Sequence, residues 1–269
     1  MSFVPVQLPE LIGESFASQS TYREFHPPGL DDLAFCVWDI KVGDTGGPVI
    51  NKILPDGCVD LVCDLTAGTA DFAAFSKATE DFEMTGPAAQ TGVRMRPGVF
   101  HGLYGLPASQ VMDTTIPFAD LEPHATLAPV FDPATPTPIK TQTLAAYLAA
   151  KGAGFTPSPL MRALPGIYDG TLTRVDDIAS HLGYGVRQVS RRFLDEIGVS
   201  PRVFLNIVRL HRALRLLADD PTNTLAELAA EAGFFDQAHF VHQIKRYTGV
   251  SPLELLRRMT ATGFLSPEA

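Results

Sequence analysis

The chain has few cysteines, few charged side chains and no long apolar run. Its 269 residues include three cysteines and one tryptophan, and 19% of them are charged. Three cysteines cannot all pair within one chain, and no CxxC spacing occurs, which excludes a disulfide framework. No stretch approaches about 18 uninterrupted apolar residues, and the chain lacks a basic start followed by an apolar run. We therefore expect a soluble, unexported protein of the reducing cytoplasm.

Charge is distributed unevenly along the chain. The formal net charge of −9 disfavours a nucleic-acid partner at first sight. However, residues 1–170 carry 9 basic and 19 acidic side chains, whereas residues 171–260 carry 12 basic and 10 acidic ones. The acidity therefore belongs to the front of the protein, and the back remains compatible with a polyanion.

The two halves differ in the pattern of their apolar residues, Gly and Pro. This difference predicts an α+β chain of two domains. Between about residues 22 and 121, short apolar or alternating runs such as "LAFCVWDI", "CVDLVCDL" and "ASQVMDTTI" are separated by Gly and Pro, as in a β-sheet or barrel. After "DPATPTP", the run "TQTLAAYLAAKG" predicts a helix ending at Gly152, "GFTPSP" a linker, and the remainder helices only. We predict a β-rich domain over 1–153 and an all-α domain over 154–269.

The helical half contains an internal repeat. "IASHLGYGVRQVSRRFLDEIGVSP" aligns with "LAAEAGFFDQAHFVHQIKRYTGVSP", with one extra residue in the second copy. A threonine N-cap with an acid three residues later is predicted to begin each copy, Thr173 with Asp176 and Thr224 with Glu227. A helix, a Gly turn and a second, polar and basic helix follow. This layout is typical of a helix-turn-helix, whose second helix lies in the major groove of DNA.

The segment "PRVFLNIVRLHRALRLLADD" between the copies predicts one amphipathic helix. Its apolar residues recur at spacings of three and four: Val203, Ile207, Leu210, Leu214 and Leu217. Seventeen residues from 202 to 218 span about 26 Å at about 1.5 Å per residue. Such a rod could hold two units near the separation of about 34 Å between successive major grooves.

These two copies, the linker "RLHRALRLL" and the closing "SPLELLRR" resemble the DNA-binding domain of the AraC/XylS family of bacterial transcription regulators. The resemblance covers about residues 160–260. It implies a first recognition helix at about 186–197, with Arg187, Ser190 and Arg191 facing base edges. Arginine can contact guanine O6 and N7 in bidentate fashion.

Other residues of the first recognition helix receive different roles. The resemblance implies that Phe193 and Leu194 are core residues. Arg192 either contacts phosphate or lies on a solvated face.

The resemblance places the second recognition helix at about 236–247. The side chains implied to read bases are Gln237, Ala238 and His242, and those implied to contact phosphate are Lys245 and Arg246. The family commonly has arginine where this chain has His242, so the second unit should contribute less affinity than the first. We interpret Asp236 as an N-cap. For His239 we favour packing and capping, with base reading as the alternative.

The front half resembles the cupin-like β-barrel domains found ahead of this DNA-binding domain in a subgroup of the family. The resemblance is carried by "LPDGCVDLVCDL", "TGP" and "VRMRPGVFHGLYGLP". It implies that the domain senses a small-molecule effector or forms a homodimer, and that an activator would contact RNA polymerase. His101, Trp38 and Phe100 are the candidate pocket residues, with burial in the core as the alternative for each.

A cupin-type metal-dependent enzyme with a DNA-targeting helical tail is the alternative. "RPGVFHG" is similar to part of the second metal-binding cupin segment, with His101 as the ligand. The first such segment should supply two histidines one residue apart, and no HxH occurs. We therefore expect no metal, no cofactor and no catalytic residue. The cysteines Cys36, Cys58 and Cys63 are expected to be buried free thiols rather than redox or zinc sites.

Overall fold

The computed structural model describes residue 5 and residues 19–74, 78–112, 114–220 and 222–261. The ends of the two predicted domains, residues 1–4, 6–18 and 262–269, lie outside these residues. In the part of the chain that is described, no helix is both long enough and apolar enough to cross a membrane.

The described residues of the front half form eight strands. They are β1 Ser20–Phe25, β2 Ala34–Val42, β3 Pro48–Ile53, β4 Val59–Asp64, β5 Thr69–Ala74, β6 Glu80–Thr85, β7 Ala88–Met95 and β8 Thr115–Pro117. Six of them form an antiparallel sheet in the order β1-β2-β7-β4-β5-β8, and β3 pairs with β6 in a second sheet.

The six-stranded sheet has two chemically different faces, because side chains alternate along each strand. On β4, Leu61 and Cys63 join the main apolar core, whereas Asp60 and Val62 line a cavity on the opposite face. Four short or medium helices cover the apolar face: α1 Val99–Tyr104, α2 Phe118–Leu121, α3 Ala128–Phe131 and α4 Thr137–Lys151. The α4 helix ends at Gly152, as the sequence predicted.

Within the described ranges, the back half contains seven helices. They are α5 Pro159–Tyr168, α6 Val175–Leu182, α7 Val186–Glu196, α8 Pro201–Asp219, α9 Leu225–Ala232, α10 Gln237–Thr248 and α11 Pro252–Ala261. The fold class predicted from the sequence, a β-rich front followed by two helix-turn-helix units on a linker helix, is confirmed. The linker helix α8 has 19 residues, and the predicted apolar stripe is buried apart from the half-buried Val203.

The turn between β3 and β4 joins the two halves. All five residues from 54 to 58 are buried. Leu54 belongs to the apolar core of the second helix-turn-helix unit, whereas Cys58 belongs to that of the first. His211 of α8 donates from Nε2 to the carbonyl oxygen of Pro55 at 2.7 Å. We call residues 54–58 the interdomain turn.

Three local predictions were wrong. The run at 108–116 was expected to be a strand, but Ala108–Gln110 is a 3-10 helix and β8 begins only at Thr115. The first repeat begins at Arg174, whose backbone N–H donates to Asp177 at 3.0 Å, and not at Thr173. Leu194 is 42% exposed and does not lie in the core.

Candidate nucleic-acid interface

The first helix-turn-helix unit is formed by α6 and α7. Gly183 ends α6 in the left-handed conformation at φ 68°, which glycine adopts without steric cost, and turns the chain into α7. Val189 and Phe193 of α7 are fully buried against Ile178 of α6. One face of α7 is therefore fixed in the core, and its opposite face points to solvent.

The exposed face of α7 carries most of the base-reading residues predicted for it. Arg187 and Arg191 are exposed, one helical turn apart, and Gln188 lies beside them. Ser190 is half-buried, and its hydroxyl donates to the carbonyl oxygen of Val186 at 2.9 Å. Gln188 was missed at the sequence level, although its place one residue from Arg187 puts it outside the Val189–Phe193 stripe.

Arg192 lies at the edge of this face and is engaged within the protein. Its Nη1 donates to Glu196 at 3.1 Å, and its guanidinium stacks over the Tyr184 ring at 4.9 Å. The buried Glu196 also accepts a hydrogen bond from Ser158 at the start of α5. A phosphate contact by Arg192 would therefore compete with its ion pair to Glu196 within α7.

The second unit repeats the arrangement with α9 and α10. Thr224 and Glu227 form the predicted capping box at the start of α9. Gly233 ends α9 with φ 84°, and Asp236 caps α10 by accepting from the backbone N–H of His239 at 2.7 Å. Phe240 is completely buried, so the inner face of α10 is held as that of α7 is.

The outer face of α10 is polar and solvent-facing. The exposed side chains are the five residues predicted to contact DNA: Gln237, Ala238, His242, Lys245 and Arg246. His239 is half-buried, and its ring meets that of Phe234 edge-on at 5.5 Å. The backbone N–H of His239 donates to the cap residue Asp236, so packing and capping remain the prediction for this residue.

Two arginines of the linker helix donate to backbone carbonyls that precede α6. Arg212 donates to the carbonyl oxygen of Tyr168 at 2.7 Å, and Arg209 donates to that of Thr173 at 3.1 Å. Burial lowers the pKa of Arg209, with a further contribution from Arg212. These two contacts hold α8 against the segment before α6, whereas Arg202 of the same helix is exposed.

The three candidate pocket residues of the front domain lie in different surroundings. Trp38 lines the cavity between the two sheets. Phe100 is buried in the main core, where its ring meets that of Phe72 at 5.5 Å. His101 is half-buried, and its Nδ1 lies 2.8 Å from the carbonyl oxygen of Leu106. Of the three, Trp38 alone is among the lining residues of that cavity.

Metal-binding residue types are dispersed over the described chain. No three His, Cys, Asp or Glu side chains within the described ranges are grouped so that they could hold a metal ion. Cys36, Cys58 and Cys63 are all free and buried. Burial raises the pKa of the Cys63 thiol to about 12, which disfavours the reactive thiolate.

Two families match separate regions of this chain. Residues 178–258 match a family described as helix-turn-helix domain. Residues 23–117 match a domain of unknown function, DUF6597.

Individual relatives resemble parts of the chain. The HTH-type transcriptional regulator MtrA of Neisseria gonorrhoeae is 35% identical over 78 residues, which is 29% of this chain and 26% of MtrA. The probable thc operon regulatory protein of Rhodococcus erythropolis is 33% identical over 85 residues, 31% of this chain and 26% of that protein. The chain therefore spans about a quarter of the length of these curated relatives. Fatty-acid-bound ToxT from Vibrio cholerae aligns over 91% of this chain and 97% of its own, with 14% identity and a TM-score of 0.42.

Proposed function

We propose that this chain, which belongs to the AraC/XylS family through its helix-turn-helix half, is a transcription regulator that binds DNA in two successive major grooves. One observation carries the proposal. Both units bury the apolar face of their second helix and expose its polar face, at Arg187 and Arg191 in α7 and at Gln237 and His242 in α10. This is the arrangement by which a recognition helix reaches base edges.

Within α7, Arg187 and Arg191 are the proposed base readers. Their side chains extend from successive turns of one face and can each donate two hydrogen bonds to guanine O6 and N7. Ser190 precedes Arg191, and its hydroxyl oxygen can accept at a base edge while its O–H donates to Val186. Gln188 extends the polar surface. Arg192 is the proposed phosphate contact at the cost of its Glu196 ion pair.

Within α10, Gln237 is the proposed adenine reader, and Ala238 offers a small apolar surface to a thymine methyl group. His242 takes the place that corresponds to Arg191 in the first unit. Neutral histidine carries no permanent charge, so we propose that the second unit binds more weakly. Lys245 and Arg246 are the proposed phosphate contacts, because both are exposed near the end of the helix.

The front domain is proposed to control DNA binding in response to a small-molecule effector or through a homodimer. The interdomain turn supports this role, since it packs into both helix-turn-helix cores. A conformational change in the front domain would therefore alter the packing of both units. For an activator, RNA polymerase is the further proposed partner, and the cytoplasm is the proposed location. The proposed activity is DNA binding rather than catalysis.

Selection from random duplex DNA by the full-length protein tests the proposal. We expect enrichment of a site with two sub-motifs about one helical turn apart, as a single asymmetric site for a monomer or as repeats for a dimer. The measured affinity for that site should fall linearly on a plot of log affinity against log salt. Absence of any enriched sequence together with salt-independent retention would overturn the proposal.

A further inference from the structure

A cavity of about 480 Å³ lies between the two sheets of the front domain. Its floor is the face of the six-stranded sheet opposite the main apolar core. Its roof includes Ile53 of β3 and Phe82 of β6. Trp38 and Val62 add apolar surface from the floor. Phe82 is 41% exposed, so the cavity reaches the protein surface. The volume and the apolar walls suit a small organic molecule.

The polar part of the lining is strongly acidic. Among the described lining residues there are five carboxylates and one guanidinium: Asp56, Asp60, Asp64, Asp71 and Glu80 against Arg94. The strand pattern places this charge inside, because Asp60, Asp64 and Asp71 alternate with core residues along β4 and β5. Carboxylates in a partly desolvated wall are costly unless a cation compensates them.

The single guanidinium in the described lining is already engaged. Arg94 is almost fully buried and lies 3.2 Å from Asp60, 3.4 Å from Asp56 and 3.5 Å from Glu24. An anionic ligand would have to displace one of these three carboxylates from it. The nearby negative charge would also repel such a ligand.

Three of the carboxylates, Asp64, Asp71 and Glu80, have no ion-pair partner among the described residues. Asp71 is half-buried on β5, and Glu80 is exposed at the start of β6. Asp64, in contrast, accepts from two turn amides and from the side chain of Gln90. Burial, with a smaller contribution from the neighbouring Asp56, raises the pKa of Asp60 to about 6 despite Arg94.

We propose that this cavity binds an organic cation, a protonated amine carrying an apolar or aromatic body, as the effector of the regulator. The ammonium group would lie between Asp71 and Glu80 and donate hydrogen bonds to their carboxylates. The apolar body would pack against Trp38, Ile53 and Phe82. Asp56 and Cys58 belong both to the cavity wall and to the interdomain turn, so the occupied cavity adjoins the linker helix.

The effector role rests on the proposed function, but occupancy of the cavity can be measured without DNA. Trp38 is the single tryptophan of the chain and lines the cavity, so its fluorescence reports binding directly. The full-length protein is titrated to millimolar concentration with three probes of one body: 3-phenylpropylamine, 3-phenylpropanol and 3-phenylpropionate. We expect a saturable change with the amine, a weaker response with the alcohol and none with the carboxylate.

Matched variants locate the response. Asp71→Asn and Glu80→Gln should each weaken amine binding by about tenfold, since each removes one charge-assisted hydrogen bond. Asp81→Asn is the control, because Asp81 lies on β6 beside Glu80 but pairs with Lys52 and does not line the cavity. Glu80 is exposed, so its variant remains informative even where Asp71→Asn reduces folding.

The proposal is overturned by no response to the amine, by tighter binding of the carboxylate, or by equal losses in Glu80→Gln and Asp81→Asn. DNA retention measured in parallel without the amine separates this result from the proposed function. If the protein binds DNA but not the amine, only the proposed cation site is refuted. If it binds the amine but not DNA, only the proposed regulator function is refuted. An unchanged DNA affinity on saturation with the amine would remove the effector role.

Discussion

His211 donates a 2.7 Å hydrogen bond from Nε2 to the carbonyl oxygen of Pro55, across the boundary between the two halves of the molecule. A carbonyl oxygen can only accept, so Nε2 carries the proton. His211 is 1% exposed, and burial lowers its pKa. The linker helix and the interdomain turn are therefore joined by a neutral histidine whose protonation would charge a buried site.

Acid should weaken this junction. The pKa of His211 is lowered in the folded protein. Its contribution to the free energy of unfolding is therefore complete above the ordinary pKa of 6.5 and is lost as the pH falls below that value. We expect the free energy of unfolding to fall by up to about 1.4 kcal/mol per pH unit on this account. Chemical denaturation between pH 7.5 and pH 5, compared with His211→Gln, measures it.

The comparison with His211→Gln isolates this group from its charged surroundings. The neighbouring charges that act on it are Asp56, Arg94 and Arg215. Glutamine keeps an N–H donor for Pro55 and does not titrate. An equal loss of stability in both proteins on acidification would show that other groups cause it.

Truncation of Leu54 should uncouple the two halves. Leu54 is fully buried among leucines and aromatic rings of the second unit, although it lies in a turn of the front domain. We expect Leu54→Ala to cost about 2–5 kcal/mol and to split a single unfolding transition into two. Leu253→Ala, at a position that is 54% exposed, should change stability by less than about 0.5 kcal/mol. Denaturant titration measures the loss of stability, and calorimetry shows the number of unfolding transitions. Similar losses of stability in the two variants would contradict the coupling.

Removal of either arginine on α7 should reduce both affinity and selectivity for DNA. Arg187→Ala and Arg191→Ala are each expected to cost about 1–3 kcal/mol of discrimination at one base pair. Arg162→Ala removes the same charge from α5 and serves as the control, because Arg162 lies outside both recognition helices. Binding titrations against the selected site and its single-base variants give the result. Wild-type selectivity in both α7 variants would refute the assignment.

A permanent charge at position 242 should strengthen the second unit. His242 is exposed on the outer face of α10, so arginine fits there without repacking. We expect His242→Arg to tighten DNA binding and to make the slope of log affinity against log salt steeper by about one. The same substitution at the exposed His181 of α6, outside the recognition helix, is the control. A slope that steepens equally in both variants would indicate a general charge effect.

Close packing of Trp38 on Gly92 should make that glycine intolerant of a side chain. A Cβ at position 92 would lie 2.5 Å from the Trp38 ring and 2.6 Å from the carbonyl oxygen of Leu61. Gly92→Ala is expected to cost about 1–3 kcal/mol. It should also displace the indole, whose Nε1 donates to Asp60 at 2.9 Å. Unfolding titrations and the emission maximum of Trp38 test this, and an unchanged emission maximum would contradict it.

The sequence predicted the helix-turn-helix units well because their signals are local. A glycine at φ 84° and a capping box specify where α9 begins and ends, and both are visible within ten residues. The misplaced start of the first copy has an equally local cause. The turn glycines are 50 residues apart, so the counterpart of Thr224 is Arg174 rather than Thr173, and the backbone N–H of Arg174 bonds to Asp177.

The cavity and the interdomain turn could not be predicted in the same way. Asp60 and Arg94 meet because β4 pairs with β7, a long-range pairing that no local pattern specifies. Pro and Gly before the run "CVDLVCDL" are consistent with a turn, but the burial of Leu54 depends on helices about 160 residues further along the chain. Nor did the polarity of Asp60 indicate an inward side chain, since an acidic residue on a strand is more often solvent-facing.

The interdomain turn also limits how this protein can be divided for study. Phe35 and Cys58 complete the apolar core of the first unit, and Leu54 completes that of the second. Neither core is therefore covered by the residues of its own unit alone. A polypeptide cut at residue 153 would leave apolar surface on α8 in contact with water. Exposed patches of this kind promote self-association, so the separated back half would be prone to aggregate, and its poor solubility would reflect the cut rather than the sequence.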